Sequence, residues 1–315
     1  AAAGASNYQV YSGCSDQIGT GNTTTIINLR SNCGPTVDVA VVANTMPPSV
    51  AFADDLPVAA SGTVPNAYGN FASQAITVAP TTGAATYVTG IAVKRDTVSV
   101  PATAINDDDP DPTEGFSGTY LAPPTAGTLL QAGGYHQHVS TGAGQFWLAA
   151  RAPAASVDFD LSAERAPFVV SPIIVDSKAN RLVWASVGGG RIDTMYTIYN
   201  VSTSTNSFTW GIAGQVEGSS VNLPVFSGEV ADFALDPSAV AQPQGALALT
   251  ITGGWDRLRS SIWAQPGQIP ALNNLTAGDT VHASFPGNGN RTAPTTMPRL
   301  NFDALLHATP IGNGN

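Results

Sequence analysis

Period-two alternation, repeated in many short runs and broken by glycine and proline, is the feature that most constrains this chain. Val157, Phe159 and Leu161 alternate with Asp158 and Asp160, and Phe208, Trp210 and Ile212 with Ser207, Thr209 and Gly211. Leu247, Leu249 and Ile251 alternate with Ala248, Thr250 and Thr252, and Val281, Ala283 and Phe285 with Thr280, His282 and Ser284. Successive side chains of a strand point to opposite faces, so these runs read as half-buried strands. Further strand candidates are 37–43, 75–79, 86–93, 145–150, 168–175, 181–187, 192–201 and 259–264. Turn clusters such as Pro47-Pro48, Pro123-Pro124, Gly188-Gly189-Gly190 and Gly253-Gly254 separate them. No segment holds a 3.6-residue period over twelve positions; one short helix is expected at 303–307. With no repeat of fixed length, propellers and solenoids are excluded. The pattern predicts an all-β fold, an antiparallel β-sandwich or jelly roll with long loops and extended termini. Three regions are expected: a β-rich N-terminal region over 1–115, a sandwich core over 116–290 and an extended tail over 291–315.

Charge then narrows the function. Charged residues make up 11% of the 315, with 12 basic against 22 acidic and a net charge of −10. A freely soluble monomer carries about 25–35% charge on its surface, and charge is depleted where interface cores are buried. The composition therefore predicts a surface covered by copies of the same chain, by other subunits or by glycans. With Lys94 and Lys178 the only lysines, weak or no nucleic-acid contact is expected from this segment. No run of 18 apolar residues exists, so membrane insertion by a helix is not expected. The first residue is Ala1, from which a removed leader or a missing basic arm is expected.

Signatures of catalysis are sparse: there is no G-x-S-x-G, H-E-x-x-H, P-loop or dinucleotide fingerprint before a helix. Cys14 and Cys33, the only cysteines, predict a disulfide and an oxidising environment. Asp107, Asp109, Asp111 and Glu114 lie in a dense acidic stretch suited to a hard cation, and Ca²⁺ is the cofactor considered. The EF-hand pattern fails there, because Pro112 and Gly118 stand where glycine and glutamate are needed. His136 and His138, two apart on a strand, share a face at about 6.5–7 Å spacing and offer two ligands to Zn or Cu. A third imidazole would have to come from His282 or His307. Trp255, Arg257, Arg259 and Trp263 are candidate interface anchors.

From residue 173 to 254 the chain resembles the jelly-roll coat proteins of small icosahedral, nodavirus-like viruses. The resemblance is carried by Arg191-Ile-Asp-Thr-Met-Tyr-Thr-Ile-Tyr-Asn-Val, then a polar link and Phe208-Thr-Trp-Gly-Ile-Ala-Gly-Gln-Val, then Gly245-Ala-Leu-Ala-Leu-Thr-Ile-Thr-Gly-Gly. It implies an eight-stranded jelly roll and a self-assembling, non-enzymatic capsid subunit in a virion. The basic arm of RNA-packaging coats is not found in this sequence, which sets it apart from that pattern. Two other readings stand beside it. One is a secreted or cell-surface β-sandwich serving adhesion, a surface layer or carbohydrate binding. The other is an extracellular hydrolase or metal enzyme using dispersed carboxylates or His136 and His138.

Overall fold

A computed structural model of the chain describes residues 2–15, 19–22, 27–29, 33–58, 67–108, 115–124, 128–161, 165–171, 173–176, 179–202, 207–225, 227–228, 230, 243–262 and 274–284. Strands hold 57% of the residues described, against about 20–25% in an ordinary domain, so the fold is all-β.

The strands form five sheets. The first joins β1 (Tyr8–Ser12), β2 (Gly19–Gly21), β3 (Thr36–Ala43), β4 (Ser49–Pro57) and β5 (Gly69–Asn70) in the order β2-β1-β3-β4-β5. The second joins β6 (Ala72–Val78), β9 (Thr103–Asp108), β10 (Phe116–Ala122) and β13 (Ser156–Phe159) in the order β13-β6-β10-β9. Its β13–β6 ladder is parallel; all the other ladders between these strands are antiparallel. The largest sheet has eight strands: β7 (Ala84–Arg95), β8 (Val98–Pro101), β11 (Leu129–His138), β12 (Gly144–Arg151), β18 (Thr194–Ser202), β19 (Ser207–Gln215), β21 (Pro243–Ile251) and β22 (Thr280–Ser284). Their order is β19-β18-β21-β22-β12-β11-β7-β8. Two small sheets complete the set, β14 (Phe168–Val169) with β17 (Ser186–Val187), and β15 (Ile174–Asp176), β16 (Arg181–Val183) and β20 (Ser220–Asn222). Ladders run across position 115 in two sheets, β6 with β10 and β7 with β11.

The eight-stranded sheet is covered on both faces. One face packs Ile91, Val93, Leu130, Ala132, Trp147 and Ala149 against Ile76, Val78, Phe116 and Tyr120 of the second sheet. Further along that face, Met195, Ile212 and Ala248 meet Val169, Leu182 and Val221 of the small sheets, and Trp184 beside them. The opposite face holds Tyr135, Phe146, Leu148, Leu249 and Val281 beneath Leu258 and Leu275. The sequence leads one to expect half-buried strands with their polar side in water. In β22 all five residues are buried instead, because a second layer lies over the polar side too. Thr250, Thr280, His282 and Ser284 are thereby taken out of solvent.

The candidate strand at 259–264 is a correction. Residues up to 262 belong to the one helix among the described residues, α1 (Gly254–Ile262). Gly253 and Gly254 take φ of 90° and 66°, conformations that L side chains resist, and these turn the chain out of β21. Asp256 in the first turn and Arg259 in the last suit the helix dipole, and Leu258 is driven into the core by its apolar side chain. The expected helix at 303–307 lies outside the described residues.

Cys14 and Cys33 form a disulfide with their Cα atoms 5.8 Å apart. It ties the end of β1 to the start of β3 across 19 positions. Closing a loop of that size removes about 3 kcal/mol of unfolded-chain entropy. The double variant Cys14→Ser, Cys33→Ser is expected to lose about that much stability in urea unfolding, and reductant is expected to destabilise the parent but not the variant.

Candidate functional site

On the inner face of the eight-stranded sheet, the polar members of five strands come together. β11 contributes His136, β12 contributes Gln145 opposite it, and β22 places Ser284 opposite Gln145. One step along, His282 lies opposite Trp147 and beside Thr250 of β21. β7 adds Thr86, opposite His136. His136 and His282 are 0% and 1% exposed, and their rings stack with centroids 5.7 Å apart. Trp147 stacks on the His136 ring as well, at 5.9 Å.

The hydrogen bonds fix one tautomer. Gln145 Nε2 donates to the Ala166 carbonyl, which only accepts, so Gln145 Oε1 faces His282 Nδ1 at 2.9 Å. Nδ1 must then carry the proton, leaving Nε2 of His282 as a bare lone pair. His136 Nδ1 meets the Thr86 hydroxyl at 3.1 Å. Neither Nε2 has a hydrogen-bond partner among the described residues.

A short segment seals the cluster. Leu161, Ala166, Phe168 and Val169 are buried, and Val169 N–H donates to Ser284 Oγ at 2.9 Å. Arg165 in this cover donates to the Thr82 carbonyl, and its own carbonyl accepts from Arg191 N–H. Burial, then the other ring, then the Arg165 guanidinium hold His136 well below the ordinary imidazole range. Burial and then Arg165 bring His282 down to about 3, with the Leu161 carbonyl opposing. Both rings are therefore neutral at physiological pH.

The residues singled out from sequence fall as follows. His136 stacks between Trp147 and His282, whereas the ring of His138 packs on Phe168 at 5.3 Å and its Nδ1 accepts from Thr141 N–H. Among the described residues no three ligating side chains come together, and the guanidinium beside the stacked rings opposes a cation there. The structure therefore gives a buried neutral pair and assigns no metal to it. Asp107 lies on β9 opposite Gly118; Asp109, Asp111, Glu114 and Trp263 lie outside the described residues. Trp255 packs against the outer cluster of the large sheet. Arg259 pairs with Asp256 on the exposed side of α1.

Arg257 spends its guanidinium inside the molecule. It reaches Asp279 at 2.7 Å and donates to the carbonyls of Thr252 and Asn274. Asp279 also accepts from the Thr276 N–H and hydroxyl. Burial raises its carboxyl, but Arg257 and Thr276 outweigh that and hold it below the usual carboxylate range. The clamp fastens α1 to the entry of β22. Asp279→Ala leaves an uncompensated, partly buried guanidinium, and its expected cost is about 3 kcal/mol in denaturant unfolding at neutral pH.

Sequence reasoning named His282 only as a remote third ligand and missed Thr86, Gln145, Ser284 and Arg165. The available signal was polar residues at alternate positions of runs whose other positions are strongly apolar. Compared with protein-family models, with curated proteins and with solved structures, the chain matches none of them. Fold and site together define an all-β sandwich protein with a solvent-sealed imidazole pair in its central sheet.

Proposed function

We propose that the chain is a self-assembling structural protein, a capsid subunit that builds an icosahedral shell from copies of itself. The observation that carries this reading is the scarcity of charge, 11% of residues, on a sandwich whose surface water alone would have to solvate. The burial of the imidazole pair supports a non-catalytic role, since a substrate has no contact with it. In this reading the acidic stretch of Asp107, Asp109, Asp111 and Glu114 bridges neighbouring subunits through Ca²⁺. The test is light scattering across a size-exclusion peak, with negative-stain microscopy of the same fraction and a repeat in EDTA. Closed shells of uniform diameter are the expected result, and shells that EDTA leaves intact would remove the calcium bridge. A monomer at all concentrations would overturn the proposal. That outcome would favour the second reading, a secreted or cell-surface sandwich for adhesion or glycan binding, for which the disulfide speaks directly.

A further inference from the structure

We infer that the His136–His282 pair is a proton-operated latch: protonation of the stacked rings releases the cover, Leu161 and residues 165–170, while the eight-stranded sheet stays folded. The geometry supplies each part. Two imidazoles lie stacked and sealed, each with one nitrogen engaged and the other without a partner among the described residues. A proton on either bare nitrogen creates an imidazolium with no water to hydrate it, which a low-dielectric interior tolerates poorly.

Among the groups around the pair only the Leu161 carbonyl, beside His282, favours that charge. β7 presents the Thr86 hydroxyl, β12 presents Gln145 and Trp147, and β21 presents Thr250. The next residue on this face of β11, His138, lies against Phe168 of the cover. The cover itself brings Arg165, a cation that repels both rings once charged. Asp160, at the start of the cover, is matched to Arg151; Glu164 lies outside the described residues. Burial and Arg165 outweigh that one carbonyl, so hydration is the larger relief, and the cover is what excludes water.

The side chains of the cover are buried, but fewer hydrogen bonds hold it than hold the sheet. It is fastened at the site by Gln145 to the Ala166 carbonyl and by Val169 to Ser284. Beyond the site it has Arg165 on Thr82, Arg191 on Arg165, Val170 on Ala185 and the two-residue ladder of β14 with β17. The sheet beneath is held by ladders of four to ten paired positions, such as β21 with β22 and β11 with β7. Segments with few bonds open first, well before global unfolding.

Hydrogen exchange read by mass spectrometry on the whole chain tests this, with intrinsic exchange rates corrected for pH. Between about pH 7.5 and about pH 5, the amides of residues 165–170 are expected to lose at least about tenfold in protection. Peptides from β12 and β22 are expected to keep theirs. Loss in both together, or in neither, overturns the latch. Replacing both rings, His136→Gln with His282→Gln, is expected to remove the pH response of the cover. Should that double variant fail to fold, Arg165→Gln decides. Loss of the Thr82 contact alone would loosen the cover at every pH. The latch instead requires the variant to open at a lower pH than the parent, so an unchanged or higher opening pH refutes it.

Discussion

Gly134→Ala is expected to abolish the folded state or lower its stability by more than about 3 kcal/mol, the upper end of ordinary overpacking. Gly134 lies where the β11–β7 register shifts, opposite Trp147 on β12. A Cβ there would sit 1.9 Å from the Tyr87 carbonyl oxygen and 2.6 Å from the Trp147 ring. The carbonyl belongs to the backbone of a central strand, and the indole is clamped between the second sheet and His136. Neither gives way without breaking the ladder. Gly189→Ala is the control, since its Cβ meets nothing within 4 Å, and it is expected within about 0.5 kcal/mol of the parent. Soluble yield and urea midpoints of the two variants read the difference. A Gly134→Ala protein as stable as the control would mean that β7, β11 and β12 are not stacked in this register.

Acid is expected to lower the stability between pH 7 and pH 5, by at most about 4 kcal/mol. Burial and Arg165 keep both rings neutral in the folded chain, His282 down to about 3. Unfolded, each takes a proton near pH 6.5. Below that point the unfolded state binds more protons, so stability falls as pH falls, by about 1.4 kcal/mol per unit per ring. Above about 6.5 neither state is charged at these rings, and they contribute no slope. The depressed carboxyls of Asp38 and Asp279 act in a lower window, as pH drops below about 4. A loss between pH 6.5 and 5 therefore belongs to the imidazoles. Urea unfolding across this range reads it, and the double glutamine variant is expected to be flat. The slope should end where the rings gain their protons in the folded chain, that is, where the cover lifts. A parent protein equally stable at pH 7 and pH 5 would contradict the neutral buried pair.

The alternating runs made the all-β class legible, and several strands follow directly from them: β3, β12 and β18 fall within one or two residues of 37–43, 145–150 and 192–201, and β6 starts three residues before 75–79. The disulfide was legible because only two cysteines exist. Other features were not. β1 and β4 carry no clean alternation, since Tyr11 and Val10 are both buried, as are Ser49, Val50 and Ala51. The helix at Gly254–Ile262 is too short to show its period, and it starts within a Gly253-Gly254 pair that reads equally well as a hairpin turn. The site was hidden for a different reason. His136 and His282 are 146 positions apart, and their contact depends on β22 inserting beside β12, which is a property of sheet order and not of local pattern. A polar residue in an alternating strand looks the same whether its face meets water or a second layer.

The place of β22 also bears on how the protein is made. β12 ends at Arg151 and its neighbour in the sheet starts at Thr280, so about 130 residues are translated in between. At ordinary ribosome speeds, that leaves the β12 edge open for roughly ten seconds. An unpaired apolar edge is a template for other nascent chains on the same message. Polypeptides cut short anywhere before Thr280 keep that edge permanently. Expression truncated by stalling or proteolysis should therefore yield aggregates, not smaller sandwiches, and slow synthesis with holding chaperones should raise the yield of the whole molecule.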